Sequence, residues 1–190
     1  MKLDGILPFA RVLLEKAVTP GDMVVDATVG NGHDTLFLAK LVGKNGQVFG
    51  FDIQEEAIKN SQNKLRHHGV DGRVRFSSLG HEHIIDVLPP QTHGKITAAV
   101  FNLGYLPGGN KAIVTRPQTT IQAIEQLISL MAPEGIIVVV IYHGHAEGAK
   151  ERDALLTYVK QLDQKKAHVL QYQFINQINQ PPFIIAIEKR

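Results

Sequence analysis

The stretch VVDATVGNGHDT, residues 24–35, decides the fold, because it reads as a strand, a glycine turn and the start of a helix. Val24 and Val25 are β-branched and suit a pleated strand, Gly30 and Gly32 provide the permissive backbone of a tight turn, and Asp34 and Thr35 stand where a helix begins. Such a turn lets a ligand approach the main chain, where the N–H groups of the turn and the helix start are free to meet it. Asp26, at the carboxyl end of the strand, adds a carboxylate and suits a cationic ligand better than a pyrophosphate.

A dinucleotide phosphate motif, Gly-x-Gly-x-x-Gly begun at Gly30, requires a glycine at position 35, where the chain carries Thr35. The next apolar segment, QVFGFD (47–52), ends on Asp52, about twenty residues beyond Gly32, the distance at which an acid reaches a ribose hydroxyl pair. A glycine turn with an incomplete phosphate motif, one acid before it and a ribose acid after it resembles the S-adenosylmethionine site of class I methyltransferases.

With 190 residues, the chain is long enough to bury a substantial core, and one domain spanning residues 1–190 is expected. Its hydrophobic fraction of 44% excludes a disordered chain, and its net charge of +2 permits a nucleic-acid partner without requiring one. The absence of cysteine excludes disulfides, thiolate metal sites and cysteine nucleophiles, and fits a reducing cytoplasm. The longest strongly apolar run, IIVVVIY (136–142), is far too short to span a bilayer, and the N-terminus has no signal-peptide pattern. A cytoplasmic protein with no membrane partner is expected.

Outward from the opening stretch, GILPFARVLLEKA (5–17) has helical spacing and reads as a helix covering the sheet. DTLFLAKLV continues the helix begun at Asp34, and helical spacing returns from Glu55 to about His67. RVRFSS (73–78) and ITAAVF (96–101) are the third and fourth strands, with HEHIIDVL (81–88) a short helix between them. NLGYLPGGNKAIVTR (102–116) has no periodicity and reads as a long loop, and loops of that length are commonly functional. A helix over 118–131 leads through Pro133, Glu134 and Gly135 into the unbroken apolar run at 136–142, the mark of a strand buried on both faces. Another helix covers 149–162, and the last two strands form a hairpin, necessarily antiparallel. Seven strands alternating with helices and closed by one hairpin give an α/β fold, a mostly parallel sheet with helices on both faces. Ligands of such sheets sit beyond the carboxyl ends of the strands, where Asp26, Asn31, Asp52, His81, Asn102 and His143 all fall.

Asn102-Leu103-Gly104-Tyr105, directly after an apolar strand, resembles the Asn-Pro-Pro-Tyr motif of methyltransferases that modify amino nitrogens. There a side-chain amide oxygen and a neighbouring carbonyl accept hydrogen bonds from an N–H₂ group and aim its lone pair at the methyl. Tyr105 is then a candidate to stack on an extruded base. Here Leu103-Gly104 replaces Pro-Pro, which makes the loop less rigid. The wider set, DATVGNGHDTLFLA, FDIQEEAI, GHEHI, VFNLGYLPGGNK, IVVVIYHGH and INQINQPPF, is similar to a bacterial family long described as ribosomal-RNA methylases. Its members resemble the methyltransferase that completes 5-methylaminomethyl-2-thiouridine at the transfer-RNA wobble position.

The resemblance implies a Rossmann-like class I methyltransferase with S-adenosylmethionine as cofactor and the anticodon region of transfer RNA as partner. It places Asn31, Gly32, His33, Asp34 and Thr35 around the methionine end of the cofactor, with Asp26 nearby. It gives Asp52 and Gln54 the ribose and adenosine side, His81 and Glu82 the adenine, and Asn102 with the Leu103 carbonyl the acceptor amine. No metal is needed for an in-line methyl transfer. Should a base be required, His143 and His145 are the candidates.

Each assignment has a plainer alternative. Gly30 and Gly32 serve any tight turn, Asp52 caps a helix, Asn102 makes a turn and Tyr105 packs its ring. His81 with His83, and His143 with His145, alternate as extended metal ligands do, but no further ligand cluster accompanies them. Lys111, Arg116, Lys150, Arg152, Lys165 and Lys166 are candidates for phosphate contacts or simply solvated, and residues 176–182 form a polar rim or a hairpin loop. Rival acceptors are ribosomal RNA, a protein amide or a small amine. Rival classes are an NAD-dependent oxidoreductase, which Thr35 disfavours, and a non-catalytic RNA-binding protein. A homodimer is compatible with a compact chain that must grip a large RNA.

Overall fold

The computed structural model describes residues 2–104, 108 and 114–190. Helices and strands follow in the order α1 (Ile6–Ala17), β1 (Met23–Asp26), α2 (His33–Leu41), β2 (Gln47–Phe51), α3 (Glu55–His67), β3 (Val74–Ser77), α4 (Ile84–Val87), β4 (Ile96–Leu103), α5 (Pro117–Leu130), β5 (Met131–Ile141), α6 (Ala146–Lys160), β6 (Ala167–Tyr172) and β7 (Phe183–Lys189). The strands form one seven-stranded sheet in the order β3-β2-β1-β4-β5-β7-β6. Its first five members are parallel, and β7 runs antiparallel to both β5 and β6. The expected sheet is therefore present, with the closing hairpin at one edge.

Alternation along each strand builds two cores. Val25, Ala99, Phe101, Val139 and Ile185 face α4, α5 and α6, packing with Ile84, Ile124, Leu127 and Leu155. Val24, Val100, Val138 and Ile184 face α1, α2 and α3, packing with Ala10, Leu14, Leu38 and Leu65. Complete burial of a side chain such as Leu38 or Leu65 is worth about 1.5–3 kcal/mol against exposure. The strand order reverses direction between β1 and β4, so their carboxyl ends splay apart at the crevice where such sheets bind ligands.

The structure shifts several boundaries. β4 continues two residues past the expected end, because Asn102 pairs with Val140 and Leu103 with Ile141, and ladder pairing overrides the turn preference of asparagine. β5 starts at Met131, opposite Ile96, and pairing resumes at Ile136 with Ala98. Residues 132–135 bulge between these points, with Glu134 at φ 63°. α6 begins at Ala146, three residues early, because the His145 side chain caps it by accepting the Gly148 N–H at 3.0 Å. In the β6–β7 connection, Ile175 and Ile178 project into solvent, so this rim is not purely polar.

Candidate functional site

The glycine turn joins β1 to α2 and is held from three sides. Gly30 and Gly32 both have positive φ, 50° and 71°. At Gly32 an added Cβ would press on the Ser61 hydroxyl and lie 2.8 Å from Ser61 Cβ and 2.9 Å from its Cα, so glycine is required by conformation and by the close approach of α3. The Asp52 carboxylate accepts the Gly30 N–H at 2.8 Å and the Gln54 N–H at 2.9 Å. Two backbone donors occupy part of its acceptor capacity and leave lone pairs for a hydroxyl pair.

Asp26 is fully buried at the end of β1. Its carboxylate accepts the Thr35 hydroxyl at 2.6 Å and the Thr28 N–H at 3.2 Å. Desolvation nonetheless pushes its pKa up to about 7, with the charges of Asp34 and Asp52 adding to the rise and the two hydrogen bonds opposing it. Three carboxylates thus crowd the turn, and a cationic ligand would relieve their repulsion.

Asn102, at the end of β4, is tied to the same turn. Its backbone N–H donates to Thr28 Oγ1 at 2.7 Å and its Nδ2 to Asp34 Oδ2 at 2.6 Å. The Asp34 Oδ1 lies 3.8 Å from an Arg11 guanidinium nitrogen on α1. Leu103 is buried, in register with Ile141. The Gly104 N–H donates to Thr115 Oγ1 at 3.0 Å, and the Thr115 N–H returns to the Gly104 carbonyl at 3.1 Å. Tyr105 and Lys111 lie outside the described residues.

The remaining candidates are distributed more widely. Asn31 and Gln54 are half-buried, whereas His33 is exposed with its ring nitrogens 3.2 Å from Lys64 Nζ. His81 is buried: its Nδ1–H donates to the Ala27 carbonyl at 3.1 Å, and its Nε2 lies 3.4 Å from Thr120 Oγ1. Burial lowers its pKa and keeps the ring neutral. Glu82 lies beside Gly80, and its carbonyl accepts the Gln126 side chain at 2.8 Å. His143 is buried, with Nε2–H donating to the Pro181 carbonyl at 3.0 Å and Nδ1 3.4 Å from an Arg152 nitrogen, so both ring nitrogens are engaged within the protein. Lys150 and Arg152 pair with Glu147 and Asp153, and Lys165 and Lys166 follow the end of α6 at the pole opposite the crevice. Among the described residues, no group of three or more His, Asp or Glu is placed to hold a metal ion.

Several residues at the site carried no local signal. Arg11 belongs to a helix read only as a sheet cover, and Thr28 lies inside the turn without a motif of its own. Tyr142 follows β5, remains 37% exposed, and has its pKa raised by desolvation and then by the charge of Asp34. Glu151 on α6 is buried and accepts the Thr115 and Thr120 hydroxyls at 2.5 and 2.7 Å; burial raises its pKa.

Comparison with known proteins gives this crevice a chemistry. Residues 48–188 match the family model described as "Putative rRNA methylase", and residues 7–86, the half containing the glycine turn, also match that of protein-L-isoaspartate(D-aspartate) O-methyltransferase. A chloroplastic tRNA (mnm(5)s(2)U34)-methyltransferase of Arabidopsis thaliana is 33% identical over 95% of this chain and 68% of its own. A crystal structure of a "putative rRNA-methylase" from Clostridium thermocellum is 44% identical, covers both chains completely and superposes with a TM-score of 0.96. A methyltransferase from Streptococcus mutans, solved in complex with SAH, is 36% identical over 99% of both chains with a TM-score of 0.89. The glycine turn that no side chain can enter, the Asp52 lone pairs and the acidic surround fit S-adenosylmethionine, whose sulfonium is cationic. No helix among the described residues is long and apolar enough to cross a membrane. The chain belongs to the rRNA methylase family, with the Rossmann-like class I fold, and is an S-adenosylmethionine-dependent methyltransferase.

Proposed function

We propose that the protein methylates the primary amine of 5-aminomethyl-2-thiouridine at the wobble position of transfer RNA in the cytoplasm, giving 5-methylaminomethyl-2-thiouridine. The observation that carries this reading is Asn102, an amide at the end of β4, joined through Thr28 at 2.7 Å to the turn that receives the cofactor. An amide oxygen there accepts an amine hydrogen and aims the nitrogen lone pair at the methyl, which supplies orientation and stabilises positive charge developing on nitrogen. The Arabidopsis relative, whose name specifies this tRNA nucleoside, supports the same acceptor.

S-adenosylmethionine, held by Asp52 and the turn at residues 30–35, would supply a methyl on sulfur that the amine lone pair can take with a neutral thioether as leaving group, the proton of the alkylated nitrogen passing to solvent. Asp52 holds the ribose hydroxyls, the turn at residues 30–35 accommodates the methionine end beside Asp26, and Asn102 orients the amine. An alkylamine is mostly protonated at neutral pH, by analogy with the lysine pKa of roughly 10.4, so the pocket must also favour the free base, and desolvation does so. Tyr142, at the rim beside Gly104, joins Tyr105 as a candidate to stack on the extruded base.

The test is methyl transfer from labelled S-adenosylmethionine to total tRNA from cells lacking the protein, followed by nucleoside mass analysis. The expected result is one added methyl on 5-aminomethyl-2-thiouridine. If the cofactor binds and no tRNA nucleoside gains a methyl, the acceptor reading is overturned, and ribosomal RNA, protein or small amines take its place.

A further inference from the structure

The Asn102 amide offers an oxygen on one edge and two N–H donors on the other, and only the oxygen can orient an amine. A strand end by itself does not choose between the two flips. Here the choice is made by Asp34. A carboxylate only accepts hydrogen bonds, and its Oδ2 lies 2.6 Å from Asn102 Nδ2, a separation at which the opposite flip would set two oxygens against each other. The Asn102 backbone is held independently by Thr28 Oγ1, so the side chain cannot escape the choice by a shift of the strand end. Asp34 is itself held: it sits in the first turn of α2, where an acid complements the helix dipole, and Arg11 approaches its other oxygen at 3.8 Å while lying 5.1 Å from the centre of the Phe37 ring.

We infer that Asp34, braced by Arg11, is a positioning residue that fixes the flip of the Asn102 amide, so that its oxygen and not its nitrogen is presented to the acceptor amine. This rests on the amine-methylating reading above. It also explains why asparagine stands at position 102: an aspartate there would face the Asp34 carboxylate at hydrogen-bond distance, which like charges do not tolerate.

The experiment measures kcat for tRNA methylation at saturating cofactor, the Kd for S-adenosylmethionine by calorimetry, and thermal melting, for Asp34→Ala, Asp34→Asn, Asn102→Ala and the Asp34→Ala/Asn102→Ala double variant. Asp34→Ala should lower kcat at saturating cofactor by about 10- to 100-fold, over and above any rise in the cofactor Kd, and should lower it by less than about twofold once Asn102 is already alanine. Asp34→Asn, nearly isosteric, satisfies either flip and should fall between wild type and Asp34→Ala. Equal losses from Asp34→Ala in both backgrounds would overturn the positioning role. So would a large rise in cofactor Kd with kcat restored at saturation, which would make Asp34 only a cofactor ligand. If Asn102→Ala alone transfers methyl at the wild-type rate, the acceptor reading itself fails, a result distinct from additivity.

Discussion

Gly32→Ala is the perturbation whose consequence can be worked most directly from the structure. Gly32 has φ 71°, and placing an L side chain in that left-handed region costs about 1–2 kcal/mol. The added Cβ would also stand 2.8 Å from Ser61 Cβ and 2.9 Å from Ser61 Cα, and overpacking of this kind costs about 1–3 kcal/mol. Because the α-carbon of Ser61 is part of the backbone of α3, no change of Ser61 rotamer can relieve its approach. The sum, about 2–5 kcal/mol, is a large share of the 5–15 kcal/mol by which domains are typically stable. Relieving the clash requires α2 and α3 to separate, and, with the cofactor at this turn as proposed above, affinity for S-adenosylmethionine should fall with stability. Urea unfolding gives the first quantity and calorimetric titration the second. Ser61→Gly in the same background removes the side-chain part of the clash, so the two substitutions should couple by about 0.5–3 kcal/mol. A Gly32→Ala protein within about 1 kcal/mol of wild type, with unchanged cofactor affinity, would refute the close approach of α3 to the turn.

Three further outcomes follow from the same geometry. Asp52→Ala removes the acceptor of the Gly30 and Gln54 N–H groups, so it should destabilise by about 1–3 kcal/mol and weaken S-adenosylmethionine at least about tenfold in titration; unchanged affinity would remove Asp52 from the ribose. Folding without cofactor should weaken as pH rises from about 4 to about 7: the folded protein keeps a proton on Asp26 up to about 7, whereas the unfolded chain releases it near the ordinary value of 3.8. The difference, roughly 4 kcal/mol at its limit, is complete above pH 7 and should disappear from the urea profile in Asp26→Asn, so parallel profiles would contradict it. Glu151→Ala leaves the Thr115 and Thr120 hydroxyls without their buried acceptor and should cost about 2–5 kcal/mol, with Glu151→Gln milder; a thermal midpoint unmoved by Glu151→Ala would deny the carboxyl this structural role.

The elements were legible where a local rule governs them. α3 occupies the residues its spacing indicates, Glu55 to His67, because acids open it, bases close it and its apolar positions recur at the helical period. The glycine turn was legible because positive φ selects glycine regardless of surroundings. Boundaries set by pairing were not: Asn102 and Leu103 look like the start of a loop and become strand because β5 lies alongside. Residues 132–135 likewise look like a clean turn, yet interrupt a strand that has already begun at Met131.

The sequence by itself determined the alternation of strands and helices, the turn at residues 30–35, the carboxylates Asp26 and Asp52 at two strand ends and the amide at a third, since each is a matter of residue type and short-range period. Only the tertiary structure decided who meets whom. Thr28 reaches Asn102 across 74 positions and Asp34 reaches it across 68, and Arg11 enters from a helix whose spacing speaks only of covering the sheet. These contacts exist because β4 inserts beside β1, an order settled by the packing of two apolar layers over the whole sheet. A side chain's chemistry is written at its own position, but its partner is chosen by that long-range packing, to which no local pattern is sensitive.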